Sequence, residues 1–228
     1  MTIFRFALKR SFRSPLNILL LCVLPAGVVF LPAVEGWTLP MGFHFYGQLI
    51  MFAALLMVRA IVDDRQSGVL TRLASAPVRY FRYLSENLLA YGLLLVIQNA
   101  VVVALGVAVH GGRIASPVLL FVAFSCFSLA SIAFALAGCS LFASREVAYG
   151  SLTTIIVLLS MVGGFYWPVG MMSEPLQKAA LVTPTYWLLN AASVLQQGGP
   201  ATRFVLSLAI MLLFAMAFLV VGSRRRME

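Results

Sequence analysis

Few residues in this chain have side chains that could do chemistry; the acids stand mostly at the ends of long apolar runs, and the cysteines lie inside them. The acids are Glu35, Asp63, Asp64, Glu86, Glu146, Glu174 and Glu228, the histidines His44 and His110, and the cysteines Cys22, Cys126 and Cys139. A metal needs such groups at ligand spacing, and neither C-x-x-C nor H-E-x-x-H occurs. The only lysines, Lys9 and Lys178, follow no glycine, so there is no G-x-x-x-x-G-K-[ST] phosphate loop. A G-x-S-x-G nucleophile elbow is also missing. The centres of the apolar runs carry no charge, whereas ion-coupled transporters hold an ionisable group near the bilayer midplane. What remains there is neutral: Gln98 and Asn99, with Ser125, Ser128, Ser131, Thr153, Thr154 and Ser160. Gln98 and Asn99 are the intramembrane polar candidates, suited to bridging helices or to meeting a ligand.

A polar, arginine-studded stretch, Asp63–Tyr83, DDRQSGVLTRLASAPVRYFRY, interrupts two long apolar runs. Asp63 and Asp64 are good acceptors for the free N–H groups of a helix start. Val69, Leu70 and Leu73 share one helical face, and Arg65 and Arg72 lie on another. Pro77 ends the helix, because it lacks an N–H and disfavours the helical region for Ala76. Tyr80, Phe81 and Tyr83 follow, aromatics of the membrane–water boundary. The pattern predicts a short amphipathic helix with an apolar face open to a partner; it would also suit a solvated loop obeying the positive-inside rule.

The elements that must position these residues belong in lipid. The chain has 228 residues, 62% of them hydrophobic and 10% charged, and its mean hydropathy is +1.00. A soluble domain carries about a quarter charged residues. The net charge of +9 is spread over the ends of apolar runs, which orients membrane proteins and does not point to nucleic acid. Six runs reach the roughly 20 residues needed to cross ~30 Å of hydrocarbon: Leu16–Val34, with a kink expected at Pro25, then Gly42–Val62, Leu84–Val109, Pro117–Phe142, Val147–Trp167 and Phe204–Gly222. Thirteen of the sixteen basic residues fall on one side of that topology. Both termini and the Asp63–Tyr83 loop are therefore expected in the cytoplasm. Residues 1–13 place Ile3, Phe4, Ala7, Leu8 and Phe12 opposite Arg5, Lys9 and Arg13, an amphipathic interfacial helix with its cations toward headgroups. A signal peptide fits less well, because the apolar run is too long and no small-x-small cleavage site follows. Glu86, early in the third run, is expected to pair with Arg82 or Arg59.

One connection is long. The segment 168–203 is apolar, yet it is expected outside. Ser173-Glu174-Pro175 and Thr183-Pro184 each combine a cap with a first-turn proline, so two short helices are predicted, the second ended by Gly198-Gly199-Pro200. Neither can span. They suit a re-entrant pair buried against protein, or amphipathic helices resting on the outer leaflet. The chain reads as a single all-α integral membrane domain over 1–228.

Three stretches together resemble the type-2 ABC exporter permeases, the membrane subunits of drug and polysaccharide exporters. One is the amphipathic start running into Arg13-Ser14-Pro15 and the first span. Another is DDRQSGVLTRLASAPVRYFRYL, similar to that family's acidic–x–G–x–L–x–R–L–x–x–x–P coupling loop through Asp64, Gly68, Leu70, Arg72, Leu73 and Pro77. The third is GFYWPVGMMSEPLQKAALVTPTYW, with Gly164, Pro168, Met172, Pro175 and Pro184 as landmarks. Aspartate stands where glutamate is common, and the outer turn after the first span is short. The resemblance implies six transmembrane helices, a cytoplasmic coupling helix within 63–83 and two outer re-entrant helices, in a bacterial inner membrane. It implies two partner ATPase subunits holding ATP and Mg, with no cofactor or metal in this chain, and a second permease copy or a paralogous one. Docking falls to Asp64, Gln66, Gly68, Val69, Leu70, Arg72 and Leu73. An outer gate or substrate path of Phe165, Tyr166, Trp167, Met171, Met172, Tyr186 and Trp187 would suit a hydrophobic drug, antibiotic, peptide or lipid-linked molecule. The alternative is an ion-coupled secondary transporter or channel subunit with no ATPase.

Overall fold

The computed structural model describes residues 2–13, 15–32, 39–66, 80–142 and 144–224, and every regular element among them is helical. Helix α1 (Thr2–Ser11) precedes a broken helical stretch made of α2 (Pro15–Ile18), a π turn at Leu19–Val23 and α3 (Leu24–Val29). Then come α4 (Met41–Gln66), α5 (Tyr80–His110), α6 (Pro117–Leu141) and α7 (Arg145–Val162). The short α8 (Glu174–Ala180) and α9 (Pro184–Gln196) lead to α10 (Ala201–Arg224).

Four helices are long and apolar enough to cross a bilayer, over Met41–Asp63, Glu86–Arg113, Pro117–Leu141 and Ala201–Gly222. The other two expected spans are shorter as helices, for local reasons. Pro25 has no N–H to return to Leu21, and the π turn before it sends the Leu24 N–H back to the Leu19 carbonyl. The fifth run was expected to reach Trp167, but α7 stops at Val162. Gly163 closes the helix, and Gly164 turns the chain at a φ of +96°, a conformation that glycine adopts without strain. A third difference concerns Asp63 and Asp64. They do not start a helix; α4 runs on through them to Gln66. Asp63 pairs with Arg59 one turn back, at 3.7 Å.

Helix α6 is the centre of the bundle, packing against α4, α5, α7, α9 and α10. Its sequence explains why. Ala130 and Ala133 pack with Ala215 of α10, and a Cβ on Gly222 would come 3.2 Å from the Ala137 Cα. On another side Gly138 takes the Leu152 side chain of α7. Toward α4, Phe124 stacks on Phe43 at 6.1 Å and meets Tyr46 edge-on at 4.9 Å. Ser125, Ser128, Ser131 and Ser140 return their hydroxyls to carbonyls of their own helix. Small residues thus let neighbouring backbones approach closely, which is what holds helices together in lipid.

Helix α1 lies on α5. Ala7 and Ser11 are buried there, and Ala7 joins a cluster with Leu21, Ala54, Met57, Ile61, Tyr91 and Leu95. The Phe4 N–H, one of the free donors of the first turn, gives its hydrogen to the Glu86 carboxylate at 3.1 Å. Arg10 donates to the Tyr91 hydroxyl at 2.9 Å, and that hydroxyl lies 3.4 Å from Asn87 Oδ1. The acid expected to serve an arginine is therefore also the anchor of α1. A hydrogen bond to a charged group is worth about 1.5–3 kcal/mol, the lower end applying to a part-buried one such as this. Glu86→Ala should then raise trypsin cleavage at Lys9 and Arg10 in the folded protein by roughly tenfold. Unchanged cleavage would assign the docking of α1 to apolar contact alone.

Candidate functional site

The residues with functional potential fall at three levels of the bundle. At the loop end, α4 delivers the chain to the 63–83 stretch. The Arg59 guanidinium sits 5.3 Å over the Tyr149 ring of α7, and the Tyr149 hydroxyl donates to the Arg59 carbonyl at 3.4 Å. Arg59 and Asp63 are 45% and 38% exposed, so their ion pair is screened and contributes little by itself. The cation–π contact adds roughly 0.5–1 kcal/mol at such a site. Together these contacts tie the first turns of α7 to the last turns of α4. Of the docking candidates, Asp64 and Gln66 belong to the last turn of α4. Gly68, Val69, Leu70, Arg72 and Leu73 lie outside the described residues.

At mid-depth, Asn99 joins three helices. Its carbonyl accepts the Tyr46 hydroxyl of α4 at 2.6 Å, and its amide donates to the Ser128 hydroxyl of α6 at 3.0 Å. Ser128 passes its own hydrogen to the Phe124 carbonyl at 2.8 Å. All of the side chains in this chain of bonds are buried, and Asn99 thereby takes the helix-bridging role. Gln98 is also buried, 5% exposed, and neither of its amide atoms has a hydrogen-bond partner.

At the other end, the predicted helix starts are present. Thr183 caps α9 by accepting the Tyr186 N–H at 3.4 Å and donates to the Ala180 carbonyl at 2.7 Å. Thr185, fully buried, donates to the Leu159 carbonyl of α7 at 2.8 Å. Asn190 donates to Ser207 of α10 at 3.0 Å. Gln196 clasps the turn before α6, accepting the Ala115 N–H at 2.9 Å and donating to the Arg113 carbonyl. The seven gate candidates do not share one surface. Phe165 is fully buried against Phe127 and fills the space beside Gly47, and Met172 is buried too. Tyr166 packs edge-on against Phe45 at 5.4 Å. Tyr186 meets Trp187 at 5.3 Å, and Trp187 donates to the Leu181 carbonyl at 2.9 Å. Trp167 and Met171 are exposed, Met171 to 80%.

Sequence reasoning missed Tyr46 as the partner of Asn99 and Tyr149 as that of Arg59, along with the clasp by Gln196. Each pair is separated by 53 to 90 positions, and residue type alone gives no signal of who meets whom. Among the described residues no group of three or more His, Cys, Asp or Glu could hold a metal.

Interhelical hydrogen bonds in bilayers average about 0.6 kcal/mol and reach ~1.7. A Tyr46→Phe, Asn99→Leu double-mutant cycle in bicelles should give a coupling of about 1 kcal/mol, with the double variant less destabilised than the sum of the singles. Additive effects would contradict the shared bond.

Residues 41–224 match the family model described as ABC-2 family transporter protein. Helix α1 and the broken stretch after it precede the matched region. No curated protein matches the sequence.

Proposed function

The chain belongs to the ABC-2 transporter family, and we propose that it is the membrane-spanning permease subunit of an ATP-driven exporter. The observation that carries this reading is the continuity of α4. Its 26 residues form one helix of about 39 Å, from the outer packing around Gly47 to the arginine-rich loop. Near one end, Gly47 sits against Phe165 and Leu188; near the other, Arg59 holds Tyr149. A push delivered at the loop would move a rigid rod pinned at both ends to the segments beside it.

In this reading the 63–83 stretch docks on an ATPase through Asp64, Gln66, Gly68, Val69, Leu70, Arg72 and Leu73. Two ATPase subunits supply ATP and Mg, and a second permease, identical or related, completes the pathway. The stretch Pro15–Val29 and helix α7 cross together with the four long helices, giving six crossings with both termini in the cytoplasm of a bacterial cell. Segment 168–203 re-enters at the outer face, supported by the burial of α9 residues Leu188, Ala191 and Ala192. The aromatic and methionine side chains there suit a hydrophobic or amphipathic cargo.

Co-purification with an ATPase tests the reading. Leu70→Asp places a charge on the apolar docking face, and Gly68→Pro breaks the helix that carries it. Both should lower stimulation of the bound ATPase at least tenfold while the variants still insert. Full stimulation in both would remove the docking assignment, and transport by the purified chain in liposomes without nucleotide would favour the secondary transporter.

A further inference from the structure

The structure sorts the basic residues Arg5, Lys9 and Arg10 of α1 and Arg13 in the turn that closes it. Arg10 turns inward to the Tyr91 hydroxyl at 2.9 Å. Arg5, Lys9 and Arg13 are exposed, and no acidic side chain among the described residues pairs with them. Phe6 and Phe12 are exposed as well, to 69% and 51%. At about 100° per residue, Phe12, Arg5, Lys9, Arg13 and Phe6 follow one another around roughly 120° of the helix. Three unpaired cations are thus flanked on both sides by uncovered phenyl rings, while Phe4, Ala7, Leu8 and Ser11 occupy the packed side.

We infer that this outward face of α1 is a binding surface for anionic phospholipid headgroups. Its height in the bundle supports a lipid occupant. Glu86 is the last charged residue before the uncharged run Asn87–Val109 of α5, and Tyr91 lies just inside that run, so α1 is held where the charged end of α5 gives way to its apolar length. The chain then becomes an apolar helical stretch from Pro15. At that depth the rings enter the acyl boundary and the cations meet phosphate, the arrangement that gives basic amphipathic helices their affinity for anionic membranes. A protein occupant with an acidic surface would not explain two exposed phenyl rings on either side of the charge. The consequence reaches further than anchoring. Because the Glu86 carboxylate and the Arg10–Tyr91 bond fasten α1 to α5, headgroup charge acts directly on the helix that leaves the 63–83 loop.

The test uses the full chain in vesicles, without an ATPase, so it can fail independently of the exporter reading. Trp37, Trp167 and Trp187 are replaced by Phe, and Phe6→Trp supplies the only indole. Brominated phosphatidylglycerol and brominated phosphatidylcholine are then compared as quenchers. Each cation near an anionic surface changes binding about fivefold. Phosphatidylglycerol should be preferred at least tenfold, and Arg5→Gln, Lys9→Gln and Arg13→Gln together should abolish the preference. The control Arg224→Gln, Arg225→Gln, Arg226→Gln should leave it intact. Equal quenching by the two lipids would overturn the inference, as would a preference that survives the α1 triple or falls equally with the control. Absence of quenching by either lipid would also overturn it, and loss of ATPase co-purification in the α1 triple would then identify protein as the occupant.

Discussion

Helices in lipid gain nothing by hiding apolar surface from acyl chains that are equally apolar, so their association depends on how closely their backbones approach. In this protein α6 meets that constraint on several sides at once. Ala130, Ala133 and Ala137 recur at i, i+3 and i+7 and receive α10, whose Ala215 and Gly222 are small in turn. Gly138 leaves room for Leu152 of α7. The remaining side presents Phe124 and Phe127 to α4 and to the segment after α7. Helices α4, α5, α7, α9 and α10 all pack on this one helix, whereas the broken first stretch packs on α4 and α5.

Close approach alone would let helices slide and rotate, and directional bonds remove that freedom. Asn99 fixes α5 against both α4 and α6 at mid-depth. Thr185 fixes α9 to α7, and Gln196 fixes the end of α9 to the turn before α6. The His110 ring lies 2.7 Å from the Val29 carbonyl and ties the end of α5 to the broken first stretch. Among the described residues, the loop end adds the Arg59–Tyr149 contact between α4 and α7 and the Glu86 and Tyr91 bonds that hold α1 on α5. In the proposed permease, α4 would carry a push from the 63–83 stretch to this bonded region at mid-depth. That is the mechanical content of the permease proposal.

The parts legible in the sequence were those set by local chemistry. The starts of α8 and α9 fall where a hydroxyl residue and a first-turn proline predict them; Thr183 makes the capping bond expected of it, whereas Ser173 makes none. The limits of α6 and α10 follow from uninterrupted hydropathy. Asp63 and Asp64 misled because aspartate is both a good cap and a good i,i+4 partner for arginine. A helix already running from Met41 needs no new start, and Arg59 supplies the partner. The π turn was hidden because Pro25 announces a break without saying how it is absorbed. The central place of α6 was hidden too, since small residues lie on several of its faces and give it no amphipathic stripe. Glu86 found the backbone of α1, 82 positions away, and no local pattern encodes such a meeting.

The account stands on the arginine-rich loop facing the cytoplasm while segment 168–203 faces outward. In a chain with Cys22, Cys126 and Cys139 replaced by alanine, single Ser67→Cys and Lys178→Cys variants can be labelled with a membrane-impermeant maleimide. The account predicts that Lys178→Cys reacts in intact cells and Ser67→Cys only in inverted vesicles. Labelling of Ser67→Cys in intact cells would put the loop outside, beyond the reach of any ATP-driven partner.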